Sequence, residues 1–361
     1  MAMIKTPLII PVFLPHLGCP ERCLFCNQKA TAKSVPSPQA VREFIDVSLN
    51  HFFSHQGERE KQVAFYGGSF TAMDQEDSVS YLKEVRPFLS SRRIDSIRIS
   101  TRPDALHEKA LTILKEYGVK TIEIGAQSMI DEVLIQSKRG HCAEDSVSAI
   151  LRLKHWGFEV GVHLMIGLPG DTCDYFLRSL DRIIDLKPDF IRIHPALVLK
   201  GASLETLWKL GKYSPLTLNE AVKWLKKGIL RLERASITVA RIGLQTTREL
   251  EEHLLAGPFH PALHQLVDSA IFYDMAKYLL RNDPNGPQPV FICHPKDLSA
   301  LKGQRNGNIL GLKNCFNLRD IFVSGNQDIQ RGGLVLQTKT GGVGIDRKSL
   351  SFFRDLSSHV F

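Results

Sequence analysis

HLGCPERCLFCNQK, residues 16 to 29, places Cys19, Cys23 and Cys26 in a C-x3-C-x2-C array close behind the first apolar run of the chain. Three thiolates so near one another suit one compact metal centre. Structural zinc takes four ligands, no fourth cysteine lies nearby, and His16 is the available substitute. A cubane of four irons and four sulfurs held by three cysteines behaves differently, because its fourth iron stays open to a small molecule. Three buried, metal-free cysteines are the bland alternative.

Outward from this loop, strand and helix signals alternate. IIPVF reads as a first strand, broken from any signal-peptide pattern by Pro7, Pro11 and Pro15. A helix starts at Pro38 and carries apolar residues at 41, 44, 45, 49 and 52. KQVAFYGG is the next strand, and DQEDSVSYLKEVRPFL a helix expected to stop near Pro87. The strands DSIRISTRP, TIEIGAQS, EVGVHLMIGLPG, DFIRIHPALVL and ITVARIGL follow with helices between them. Repeated strand–helix units predict an α/β fold, a partial or complete parallel β/α barrel, with its chemistry at the C-terminal strand ends. The cysteine loop follows the first strand and therefore lies at that end.

The 361 residues are 43% hydrophobic and 23% charged, as in a soluble globular protein, and no apolar run is long enough to cross a membrane. Seven cysteines, three of them clustered, fit a reducing cytoplasm and metal ligation better than a disulfide framework. The formal charge of +8 suits a polyanionic partner such as RNA. Residues 281–361 hold 11 Lys plus Arg against 6 Asp and no Glu. The expected organisation is a barrel over 1–247, a helical connection over 248–284, and a small basic α/β domain over 285–361.

The cysteine array, with Phe25 between its second and third members, resembles the signature of radical S-adenosylmethionine enzymes. The resemblance implies a [4Fe-4S] cluster on Cys19, Cys23 and Cys26, S-adenosylmethionine on its open iron, an external electron donor, and hydrogen abstraction by a 5′-deoxyadenosyl radical. Tyr66, Gly67 and Gly68 end the second strand, where the family receives the amino group of S-adenosylmethionine; Ser69 stands where many members have glutamate. Arg102 is a candidate for the cofactor carboxylate, or else braces Asp104. Glu123, Gly125 and Gln127 share one pleat face. Gln127 and Ser128 can address ribose hydroxyls or complete an internal network. His163 and Gly167 belong to the strand that related enzymes set against the adenine.

SKRGH (137–141), HLMIGLPG (163–170) and HPALVLKGASLETLWKLGKYSP (194–215) narrow the likeness. They resemble the radical domain of the catalytic subunit of Elongator, which modifies wobble uridine in tRNA, and its stand-alone bacterial relatives. Lys200 replaces an arginine there and is a candidate for substrate phosphate or the cofactor carboxylate. Nothing in these 361 residues resembles an acetyl-coenzyme A loop, so the acetyltransferase domain of that subunit is not expected among them. Of the isolated cysteines, Cys173, Cys293 and Cys315 read as small buried hydrophobes. Cys142 reads the same way, or as a radical quencher or methyl carrier. Beyond RNDPNGPQP (281–289), the order strand, helix, turn, helix, strand, strand resembles a KH-type RNA module. Lys302, Arg305 and Lys313 are its candidate RNA contacts. The expected function is radical modification of a tRNA base. The alternatives are radical chemistry on a small metabolite, or a non-enzymatic RNA-binding protein with a structural metal centre.

Overall fold

The computed structural model describes residues 7–20, 23–28, 34–51, 59–282, 288–338 and 341–349. The order begins β1 (Leu8–Leu14), α1 (Pro38–His51), β2 (Lys61–Gly67), α2 (Gln75–Ser90), β3 (Ser96–Thr101), α3 (Glu108–Glu116) and β4 (Val119–Gln127). It continues with α4 (Asp131–Gln136), α5 (Ala143–His155), β5 (Glu159–Ile166), α6 (Cys173–Leu186), β6 (Phe190–Pro195), β7 (Val198–Leu199), α7 (Ser203–Lys209), α8 (Leu218–Arg234) and β8 (Thr238–Ile242). Then come α9 (Arg248–His253), β9 (Leu254–Ala256) and α10 (Leu263–Asn282). The chain divides into two compact units, 1–217 with 237–259, and 218–236 with 260–361.

In the first unit seven parallel strands lie in the order β1-β2-β3-β4-β5-β6-β8. The sheet is an open, curled half-barrel. Tyr66 of β2 and Arg192 of β6 touch at 3.3 Å, whereas four strand spacings in a flat sheet separate them by about 19 Å. Period-two alternation sorts the side chains. Val63, Phe65, Ile97, Ile99, Ile122, Ile124, Val160, Val162, Ile191 and Ile193 are buried and form the apolar, helix-covered face. Each such side chain contributes about 1.5–3 kcal/mol. The alternate residues face the barrel interior, where Tyr66, Arg98, Glu123, His163 and Arg192 meet.

Three local expectations are corrected. Helix α2 does not stop at Pro87 but runs on to Ser90. Phe88, one residue on, is buried, and the Ser91 hydroxyl and amide both donate to the Pro87 carbonyl (2.8 and 3.0 Å). The strand expected over DFIRIHPALVL breaks after Pro195, and β7 instead pairs antiparallel with β9. That pairing also interrupts the helical connection expected from residue 248.

The second unit packs α8, α10, α11 (Leu298–Lys302) and α12 (Gly307–Phe316) with a four-stranded sheet. Its strands are β10 (Val290–Cys293), β11 (Phe322–Gly325), β12 (Gly333–Thr338) and β13 (Gly341–Asp346), in the order β11-β10-β12-β13. β10 and β11 are parallel, and the other two pairs antiparallel. Arg347 ties the unit together by binding Glu233 of α8 (2.8 Å) and Asp268 of α10 (2.7 Å).

Candidate active site

The cysteine loop is built into the C-terminal end of the half-barrel by its backbone. Leu24 N–H donates to Ser137 carbonyl (3.1 Å), and Leu204 N–H to Leu24 carbonyl (2.8 Å). Phe25 packs between the Val133, Leu168, Ala196 cluster and the Val198, Leu204, Tyr213 cluster. On the other side Gly68 and Ser69 donate to Leu14 and Leu17 carbonyls (2.9 and 2.8 Å). A Cβ on Gly68 would lie 1.9 Å from the Leu17 carbonyl oxygen, and one on Gly18 2.3 Å from that of Ser69. These glycines let two stretches of this chain approach each other closely.

Arg139, from the SKRG segment, brings a cation to the sulfurs. Its Nη1 donates to Cys23 Sγ at 3.4 Å and its Nη2 to Gly125 carbonyl at 2.7 Å. Arg102 braces it from behind: Nη1 donates to Arg139 carbonyl (2.9 Å), while Nε and Nη2 clamp Asp104 (2.9 and 2.7 Å). Burial pushes the Cys26 thiol up to about 12, reinforced by Cys23 and Cys19. Burial also raises Cys19, opposed by Arg139. As they stand these thiols hold their protons, and a metal centre must displace them to bind.

Below the mouth, every strand sends one polar or aromatic group into the interior. Glu123, fully buried, accepts from Arg98 Nη1 (2.6 Å), pairs with Arg192 Nε (2.9 Å), accepts from Tyr66 (3.4 Å) and meets His163 Nε2. Burial alone would raise its pKa; His163, Arg192 and Arg98 outweigh that and hold it well below the carboxylate range. His163 and His194 meet edge to face at 5.7 Å. At the end of β5, Gly167 (φ +72°) donates to Asp171 (2.9 Å), and its carbonyl accepts from Tyr213 (2.6 Å).

The structure sets Arg139 against Cys23, with Cys19 and Cys26 on the same loop, and brings Tyr66, Glu123 and His163 together with Arg98 and Arg192. Gln127 closes β4 at a bulge with φ +67°. Ser69 is buried against Thr101 (3.0 Å) and the Arg102 amide (3.2 Å). Ser128 lies apart, accepting from Ile130 N–H (3.2 Å) and meeting Ser179 of α6 (3.4 Å). Lys200 is exposed, and its carbonyl accepts from Asn27 beside the cysteines. Of the four isolated cysteines, Cys293 alone is buried; Cys142, at the start of α5, and Cys315 are exposed. Their positions at a helix start and on the outer face of a short helix give them nothing to pack under. In the second unit Lys302 and Arg305 are exposed, and Lys313 pairs with Asp320 (3.4 Å). Arg139, Arg192 and Asp171 were not singled out in the sequence. For Arg192 the signal was present, since Arg192 and His194 alternate with Ile191 and Ile193.

Comparison with known proteins places this arrangement. The radical SAM superfamily description matches residues 13–183, and the radical SAM C-terminal domain description matches residues 188–272. An uncharacterized protein of Methanocaldococcus jannaschii is 31% identical over 225 residues, which are 59% of this chain and 68% of that protein. The chain belongs to the radical SAM superfamily. This radical SAM chain is also 34% identical over 171 residues, 46% of its length, to a protein named tRNA uridine(34) acetyltransferase from Methanocaldococcus infernus, and spans 32% of that relative. Its fold matches the archaeal M. infernus Elp3 structure with a TM-score of 0.59 at 23% identity, covering 77% of this chain and 64% of that one. It is an enzyme, and the radical SAM family is one that uses a [4Fe-4S] cluster and S-adenosylmethionine. The donor set suits that cluster in kind, with three thiols on one loop and an arginine against one sulfur, while among the described residues no three His, Cys, Asp or Glu side chains are already gathered around one metal position. Among the described residues, no helix is long and apolar enough to cross a membrane.

Proposed function

We propose that this chain is a cytoplasmic radical enzyme that modifies a tRNA base, with Cys19, Cys23 and Cys26 holding a [4Fe-4S] cluster. The observation that carries the reading is the three-cysteine loop fastened to the half-barrel mouth, with Arg139 at 3.4 Å from Cys23 Sγ. A [4Fe-4S] cluster held by Cys19, Cys23 and Cys26 and reduced by an external donor would supply the chemistry of reductive S-adenosylmethionine cleavage and hydrogen abstraction from substrate. Arg139 offsets the negative charge that three thiolates bring to a buried place. Tyr66, Gly67, Gly68, Gln127, His163 and Gly167 border the cofactor at the strand ends. Ser69 and Arg102 shape the wall behind them, while Ser128 completes an internal network with Ser179. Lys200 and Cys142 face solvent; in this reading Lys200 meets substrate phosphate and Cys142 traps a stray radical.

The tRNA assignment is supported by the positive charge of the chain and by its likeness to the M. infernus protein named tRNA uridine(34) acetyltransferase. In the second unit, Lys302 and Arg305 contact the RNA backbone, assisted by Lys313. Anaerobic reconstitution with iron, sulfide, dithionite and S-adenosylmethionine should release 5′-deoxyadenosine, and Cys23→Ala should abolish it. No release from the wild type overturns the radical reading. Indifference to tRNA at low salt, with release intact, overturns the RNA half and leaves a small metabolite as substrate.

A further inference from the structure

Ile135 (75% exposed) and Leu210 (62%) are the two most solvent-exposed large apolar side chains among the described residues. Both sit on the stretches that hold the cysteine loop. Ile135 belongs to α4, and Ser137 just beyond it takes the Leu24 N–H on its carbonyl (3.1 Å). Leu210 caps α7, whose Leu204 N–H donates to the Leu24 carbonyl (2.8 Å). The 167–170 loop touches both stretches. A Cβ on Gly170 would lie 2.5 Å from Gln136 Oε1, one on Gly167 2.8 Å from the Leu216 side chain, and the Gly167 carbonyl accepts from Tyr213 (2.6 Å). Lysines stand beside each apolar residue. Lys138 N–H donates to the Ile135 carbonyl (3.0 Å), Lys209 and Lys212 bracket Leu210, and all three lysines are exposed. Lys209 pairs with Glu205 (2.7 Å), whereas Lys138 and Lys212 make no ion pair among the described residues. The acids on α4 are already engaged: Asp131 accepts from Ala143 N–H (2.7 Å) and Glu132 from the Tyr175 hydroxyl (3.1 Å). Bare aliphatic side chains offer nothing to a phosphate backbone. A partner protein covers such residues with an apolar centre and meets the lysines with carboxylates at its rim.

We propose that this face, Ile135 and Leu210 with Lys138, Lys209 and Lys212 around them, docks a small acidic protein that carries one electron. It rests on the radical reading above, which calls for an external donor and does not say where that donor touches the chain. The carrier loses one electron and a cluster on Cys19, Cys23 and Cys26 gains it; no bond forms or breaks and no proton moves. Encounters of this kind use small interfaces and are steered by charge. The test compares two reductants on the reconstituted full chain by stopped flow: a reduced acidic [2Fe-2S] ferredoxin and dithionite. Ferredoxin should reduce the wild-type centre at a rate that falls as salt rises. Leu210→Asp, and separately Lys138→Glu combined with Lys212→Glu, should slow that rate about tenfold at low salt, with the dithionite rate unchanged. Lys223→Glu, on an exposed position of α8, should change neither rate. Iron per chain and thermal melting show that each variant is folded and loaded. Reduction of the wild type by dithionite but not by ferredoxin, or ferredoxin rates that ignore both sets of changes, overturns the proposal. Loss of tRNA affinity in these variants with ferredoxin rates intact overturns it in favour of an RNA contact. A wild-type dimer that Leu210→Asp splits, with ferredoxin rates intact, overturns it in favour of a contact between two copies. If dithionite and S-adenosylmethionine release no 5′-deoxyadenosine from the wild type, the radical reading itself falls, so the two failures are told apart.

Discussion

Glu123 shows what a single residue does in this interior. It is the fully buried carboxylate that Arg98, Arg192 and His163 share. Removing one partner of a buried pair leaves the others uncompensated, at a cost of about 3–5 kcal/mol. Glu123→Gln should lower the urea midpoint accordingly, without change in the urea dependence. Asp171 makes a second prediction. Burial pushes it up to about 7, only partly opposed by the amides of Gly167 and Thr172. A carboxyl raised on folding contributes stability below its unfolded value near 4, and that contribution disappears as pH rises through 7. Unfolding free energy should therefore fall over that interval, by at most about 4 kcal/mol, and Asp171→Asn should flatten the profile. Of these residues, Glu123 and His163 were visible as polar members of alternating strands. Which residues pair was not, because Arg192 lies 69 positions from Glu123 and Arg139 lies 116 from Cys23. Charge pairing across a curled sheet leaves no local trace.

At the scale of elements, the close approach of the β1 and β2 exits sets the cysteine loop. Gly68→Ala puts a methyl 1.9 Å from the Leu17 carbonyl, and backbone cannot swing aside as a side chain can. The expected result is a displaced loop, a loss of about 2 kcal/mol or more, and reduced iron per chain after reconstitution. Gly307→Ala, which meets nothing within 4 Å, should leave both unchanged. Thr172→Ala removes a hydroxyl that accepts from Tyr175 N–H (3.1 Å) at the start of α6. It should cost about 1 kcal/mol by thermal melting. Strand positions and the cysteine loop were legible because period-two alternation and spacing are local signals. The break after Pro195, the run of α2 past Pro87 and the β7–β9 pair were not. Each is decided by a partner elsewhere in the chain, which local propensity does not encode.

For the whole molecule the readable quantity is charge. If the second unit meets RNA through Lys302 and Arg305, the double change to alanine should reduce the slope of log affinity against log salt by about 1.4 to 1.8. Filter binding with tRNA at graded salt measures it; an unchanged slope removes both residues from the interface. What the sequence could not show is where one unit ends. Helix α8 lies between β7 and β8 in the chain yet packs with α10. The polypeptide therefore passes from one unit to the other near residues 217, 236 and 259. With three passages, no single cut isolates either unit. A polypeptide truncated after 217 lacks its last strand, and one truncated after 259 keeps α8 with its apolar stripe bare. A break at any one of these passages strands part of both units, so the cysteine-bearing unit and the basic unit are expected to be made and to fold from one uninterrupted polypeptide.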